Sequence, residues 1–159
     1  MRVLIDSSVL VAAHISRAGV CAELLEDVLM DHELVMSQFI IDELARKLRE
    51  KFKFTEDEIE EVRSHLLADC EMVSPVEVPS TACRDPNDLP VLGTAVAGRA
   101  DVLITVDKDH LDLREYSGIS IIRPGQFWRR VDTETVPPDR PTTSRRDRRV
   151  ARFPESELQ

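Results

Sequence analysis

The stretch DPNDLPVLGTAVAGRADVLITVDKDHL, residues 85–111, decides the fold. A turn rich in Asp, Pro and Asn feeds an apolar segment from about Leu89 to Gly98, with Pro90 tolerable in a first helical turn and Gly98 near the end. DVLIT, residues 101–105, is a short apolar run of strand character, closed by a polar turn at Asp107. Loop, helix, strand and acidic turn in that order make up half of a βαβ unit. Working outward, RVLI at 2–5, ELVM at 33–36, EMVSPVEV at 71–78 and ISII at 119–122 read as further buried strands. Helical spacing separates them. Leu24, Leu25, Val28 and Leu29 form one stripe; Ile40, Leu44 and Leu48 form a second, with Ser37 its expected N-cap; a third segment starts at Thr55 with acids in its first turn. Alternation of this kind predicts right-handed crossovers and an α/β fold whose central parallel sheet is covered on both faces.

From Asp132 the pattern stops: residues 132–159 are rich in Pro, Thr, Ser and Arg and hold almost nothing to bury. The expected organisation is one domain over residues 1–131 followed by a disordered C-terminal tail over 132–159. The formal net charge of −9 is unevenly spread, with 13 Lys+Arg against 24 Asp+Glu in residues 1–128 and 8 Arg against 6 acids after them. So acidic a body excludes a general nucleic-acid-binding protein, unless divalent cations invert the local field. Three cysteines, Cys21, Cys70 and Cys83, and four scattered histidines show neither disulfide nor zinc-motif spacing. No apolar run is long enough to span a membrane, and the first residues do not resemble a secretory signal, so a cytoplasmic protein without a membrane partner is expected.

Ligands of open parallel sheets sit beyond the carboxyl ends of the strands. Asp6 directly follows the first strand, Asp107 follows DVLIT by two residues, and Asp88 lies in the loop entering the 89–98 helix. Glu43 lies beside the apolar stripe of the second helix. Four carboxylates in one cleft repel each other unless a cation compensates, and hard oxygen ligands select Mg²⁺ or Mn²⁺. Such an ion suits phosphodiester hydrolysis. Each acid also has a plainer role open to it: Asp6 and Asp88 as helix N-caps, Glu43 as a solvated helix residue beside Arg46 and Lys47, and Asp107 as the start of a turn in which Asp109 or Asp112 matters instead.

Together, LIDSSVLVAA at 4–13, SQFIIDEL at 37–44, the 85–111 stretch and ISIIRPGQF at 119–127 resemble the PIN domain, and within it VapC-like toxins, over roughly residues 1–130. The resemblance implies a three-layer α/β/α sandwich with a five-stranded parallel sheet. It makes Asp6, Glu43, Asp88 and Asp107 the catalytic, metal-binding acids of a Mg²⁺- or Mn²⁺-dependent endoribonuclease, with Asp85 and Asp109 the nearest alternatives. Ser8 falls where the family often has Asn supporting the first Asp, and Thr105 matches a hydroxyl residue that orients the site. RNA is the implied substrate, a cognate antitoxin the implied partner, and a homodimer the implied assembly; the apolar pattern around Phe52, Phe54 and Ile59 would suit either antitoxin docking or core packing. The alternative is a degenerate PIN-type module that binds RNA or regulates without catalysis. A receiver domain would need paired early acids and a Lys after the last strand, and a haloacid dehalogenase-type phosphatase would need an Asp where Ser8 stands. Neither fits.

Overall fold

The structure, a computed structural model, describes residues 1–135. In chain order the elements are β1 (Arg2–Ile5), α1 (Ser7–Ile15), α2 (Val20–Asp31), β2 (Glu33–Met36), α3 (Gln38–Phe52), α4 (Glu56–Ala68), β3 (Cys70–Met72), α5 (Leu89–Ala97), β4 (Val102–Ile104), α6 (Lys108–Leu113), β5 (Glu115–Tyr116), β6 (Ile119–Ile122) and α7 (Phe127–Thr135). Single 3₁₀ turns occupy Pro86–Asp88 and Pro124–Gln126. The sheet runs β3-β2-β1-β4-β6-β5. Its first five strands are mutually parallel, as expected; the two-residue β5 adds an antiparallel edge to β6 that the sequence pattern is too short to announce.

Val3, Leu4 and Ile5 of β1 and Val102, Leu103 and Ile104 of β4 are all fully buried. Consecutive buried residues mean that both faces of the sheet are covered, as the α/β/α layering requires. The helix stripes behave likewise: Leu24, Leu25 and Val28 of α2 and Ile40, Leu44 and Leu48 of α3 lie in the core. Thr55 caps α4 through a reciprocal capping box with Glu58. Ser37 precedes α3 but its hydroxyl makes no cap; instead it accepts a hydrogen bond from Thr94 Oγ1 at 2.8 Å, tying α3 to α5.

The third strand is shorter than 71–78, because Pro75 has no N–H to give to the sheet. After Met72 the chain passes over α5, where the N–H of Val76 donates to the carbonyl of Gly93 at 3.1 Å. A Cβ at Gly93 would stand 2.3 Å from the carbonyl oxygen of Val76, so this approach requires glycine. Ile59 is buried between α3 and α4, whereas Phe52 is exposed.

Residues Met1–Phe127 form one compact unit. The chain from Trp128 belongs to a second, of which the described part is the remainder of α7. Apart from residues 132–135, which end α7, the Pro/Arg-rich segment lies outside the described residues. Among the described residues no single helix is long and apolar enough to cross a membrane.

Candidate functional site

Chain direction through the sheet reverses at β1: the path runs outward through β2 and β3, then returns to place β4 on the other side of β1. The crevice beyond the carboxyl ends of β1 and β4 is therefore the topological switch point. Asp6 follows β1 and Thr105 follows β4, and the backbone N–H of Asp6 donates to the carbonyl of Ile104 at 2.9 Å, which locks the two strand ends together.

Asp6 is 6 % exposed and its two oxygens have separate tasks. Oδ1 accepts the backbone N–H of Ser7 at 2.7 Å, capping α1, and Oδ2 accepts the buried hydroxyl of Thr105 at 2.8 Å. The same Thr105 hydroxyl accepts the N–H of Asp107 at 3.0 Å, so one side chain sets the spacing of two acids. Asp107 in turn caps α6, its Oδ1 accepting the N–H of Asp109 at 2.8 Å. At the entrance to α5 capping falls to Asp85, whose Oδ1 accepts the N–H of Asn87 at 2.9 Å. Asp88 makes no cap, and no backbone N–H of its own turn holds its carboxylate.

Oxygens of Asp88, Asp107 and Asp109 all lie within 4.8 Å of one another. An octahedral Mg²⁺ or Mn²⁺ holds oxygens about 3 Å apart when adjacent and about 4 Å when opposite, so small side-chain rotations would close this set on one ion. The donors are hard, and they fit. Asp6 and Glu43 stand outside that triplet. Glu43, on α3, is 3.5 Å from Lys47, and Lys47 donates to Ser7 Oγ at 2.8 Å, which brings the pair to the start of α1. Ser8 Oγ is buried without a hydrogen-bond partner, so the group that supports Asp6 is Thr105 and not Ser8.

Electrostatics follow from this crowding. Burial pushes the Asp88 carboxyl upward, His110 opposes, and the charges of Asp107, Asp85 and Asp6 add to the rise. Burial alone would also raise Asp6, but His110, Thr105 and the Ser7 N–H outweigh it and hold that carboxyl below the usual range. His110, 1 % exposed, sits with Nδ1 at 3.8 Å from Asp6 Oδ2. Burial would lower its pKa; the adjacent Asp6 and Asp88 raise it instead. Among the described residues no Lys or Arg pairs with Asp6, Asp88, Asp107 or Asp109. The other rim differs, since Arg2 binds both Glu33 and Glu71 at 2.7 Å.

A family profile described as the PIN domain matches residues 2–109. The chain belongs to the PIN-domain family. The match takes in every acid described above, and its end at Asp109 coincides with the last of them. Two solved structures share the PIN fold of this chain. VapBC2 from Rickettsia felis, bound to a DNA fragment from their promoter, aligns with a TM-score of 0.54 at 14 % identity, covering 77 % of this chain and 98 % of that one. VapBC-1 from nontypeable Haemophilus influenzae aligns with a TM-score of 0.54 at 19 % identity, covering 79 % and 99 %. No curated protein matches the sequence.

Two members of this PIN-domain crevice were not picked out from the sequence. His110 carries no paired-histidine spacing, yet it stands three residues after the cap Asp107, on the same helical face, which is the signal that places it beside Asp6. Cys83 lies two residues before Asp85, and its Sγ is 3.8 Å from Asp88 Oδ2.

Proposed function

We propose that this PIN domain is a Mg²⁺- or Mn²⁺-dependent endoribonuclease and the toxin of a type II toxin–antitoxin pair. The observation that carries the reading is the set of hard carboxylates at the switch point with no Lys or Arg partner among the described residues, Asp88, Asp107 and Asp109 mutually within 4.8 Å and Asp6 held beside them by Thr105. Asp6, Glu43, Asp88 and Asp107 are the residues we assign to the ion, with Asp109 adjoining. When bound, such an ion lowers the pKa of a coordinated water and neutralises charge developing on the phosphate.

The chain's own residues do the rest. Thr105 fixes Asp6 and the backbone of Asp107 in one register, so the acids are preorganised before substrate arrives. His110 offsets part of the negative charge behind them, and Lys47 supplies a cation at the Glu43 side. An RNA backbone approaching so acidic a rim is repelled until the ion is in place, which makes cleavage strictly metal-dependent. The fold shared with the two VapBC structures supports a cognate antitoxin as partner.

The test is cleavage of single-stranded RNA by the purified full chain in Mn²⁺ and in EDTA. Asp6→Asn and Asp88→Asn should lose activity by about two orders of magnitude or more while remaining folded at the assay temperature, since losing a direct ligand costs more than the 10–100-fold typical of groups that only support one. Equal cleavage in EDTA, or undiminished activity in Asp6→Asn, overturns the proposal.

A further inference from the structure

We propose that Cys83, Asp88 and His110 form a second and softer cation site, which takes Zn²⁺ and competes with the harder ion for Asp88. One ligand atom from each residue lies within 4.8 Å of the other two. Cys83 Sγ and Asp88 Oδ2 are 3.8 Å apart, close to the roughly 3.6 Å that separates sulfur and oxygen ligands on a tetrahedral zinc. The residues come from two places in the chain, the loop ahead of the Pro86–Asp88 turn and helix α6, so the fold and not local sequence assembles them.

The imidazole of His110 is incompletely satisfied where it stands. The ring is 1 % exposed, yet Nδ1 makes no hydrogen bond, with Asp6 Oδ2 3.8 Å away, and Nε2 reaches only the main-chain oxygen of Asp88, at 3.5 Å. A buried polar nitrogen whose neighbours stand at or beyond hydrogen-bond length calls for an explanation, and a bound cation supplies one. Cys83 is 7 % exposed and its thiol lies against the same carboxylate. Thiol, imidazole and one carboxylate are the donor types zinc selects, whereas the neighbouring triplet of Asp88, Asp107 and Asp109 offers oxygen alone. Three protein ligands leave the fourth tetrahedral position open.

Asp88 belongs to both sets. An ion held by Cys83 and His110 withdraws that carboxylate from the hard triplet and adds positive charge behind it, so Zn²⁺ suppresses what Mg²⁺ or Mn²⁺ supports. The site itself stands apart from the nuclease reading; its inhibitory consequence rests on that reading.

The experiment uses the reduced full chain with Co²⁺ as a spectroscopic probe. Wild type should show a thiolate-to-Co²⁺ charge-transfer band with tetrahedral visible bands, displaced by Zn²⁺. Cys83→Ser should abolish the charge-transfer band, and His110→Gln should weaken Co²⁺ binding at least about tenfold. Replacing Cys21 and Cys70 together by Ser should leave the spectrum unchanged. A band that is absent from wild type, or that survives in Cys83→Ser, overturns the site. In parallel, stoichiometric Zn²⁺ should inhibit Mn²⁺-supported RNA cleavage, with Cys83→Ser needing at least about tenfold more Zn²⁺ for the same inhibition. Equal inhibition of both proteins overturns the competition. A normal Co²⁺ spectrum in a protein that does not cleave RNA, or cleaves it equally well without metal, refutes the metal-dependent nuclease and leaves the zinc site standing; Mn²⁺-dependent cleavage without a Co²⁺ band does the opposite.

Discussion

Thr105→Val should destabilise the protein far more than its small change of shape suggests. The hydroxyl of Thr105 is fully buried, donates to Asp6 Oδ2 at 2.8 Å and accepts the N–H of Asp107 at 3.0 Å. Removing it takes a charged-group hydrogen bond worth about 1.5–3 kcal/mol from a buried carboxylate and strands a partly buried N–H at about 1 kcal/mol more, for a total of about 2.5–4 kcal/mol. Thr105→Ser keeps both bonds and loses only a buried methyl, about 1 kcal/mol. Urea denaturation at neutral pH measures the difference as a shift in midpoint at constant slope. Asp6 adds a pH signature. Its folded-state pKa lies below the unfolded value, so its contribution is present above about pH 4 and is lost as pH falls through the folded pKa. The Val penalty should therefore shrink toward acid, where the carboxyl is protonated with or without its partner. A Val variant no less stable than the Ser variant, or a penalty that stays constant into acid, refutes the assignment of Thr105 as the support of Asp6.

Two further outcomes follow from the same geometry. Asp88→Asn, which removes a carboxyl raised by burial and by three neighbouring acids, should stabilise the metal-free protein by up to about 1 kcal/mol after solvent screening; it should also abolish the thermal stabilisation that saturating Mn²⁺ gives wild type, about 2.7 kcal/mol at one hundred times its dissociation constant. Gly93→Ala should cost about 1–3 kcal/mol in urea denaturation, because the added Cβ would stand 2.3 Å from the Val76 carbonyl oxygen; an unchanged midpoint means that the 73–79 segment does not lie on α5.

The strands were legible because five short apolar runs, bounded by polar turns, have no other economical home than a doubly covered parallel sheet. What escaped were short elements. Six-residue α6 and two-residue β5 lie below the length at which periodicity speaks, and α1 is so uniformly apolar that Val9, Leu10 and Val11 are all buried and no polar face marks a helix. Pro75 was visible in EMVSPVEV and shortens the third strand for the reason its missing N–H dictates. At the site, Asp6, Asp88 and Asp107 were legible from their places after strands or before a helix. Asp109 was open as an alternative, and its proximity to Asp88 and Asp107 arises from the tight turn into α6, a three-dimensional fact. Of the two supporting residues that the resemblance implies, Ser8 Oγ makes no hydrogen bond, while Thr105 bonds Asp6 from ninety-nine residues along the chain, a distance no local motif spans.

For these acids the capping role is compatible with the proposed metal-binding one, because each carboxylate oxygen can accept from a protein donor and still offer a second lone pair. Asp6 gives one oxygen to the Ser7 N–H and the other to Thr105; Asp107 gives one to the Asp109 N–H. Each is anchored by the backbone it caps, and anchoring is what keeps its second oxygen in place. Asp88 is different, since Asp85 has taken over the local cap and leaves it without a backbone donor from its own turn. It is thus the acid with the least protein support and the one whose ionisation burial and its neighbours oppose. A cation gains most by binding where the protein has compensated least, and Asp88 is the residue common to the hard oxygen triplet and the Cys83–His110 pair.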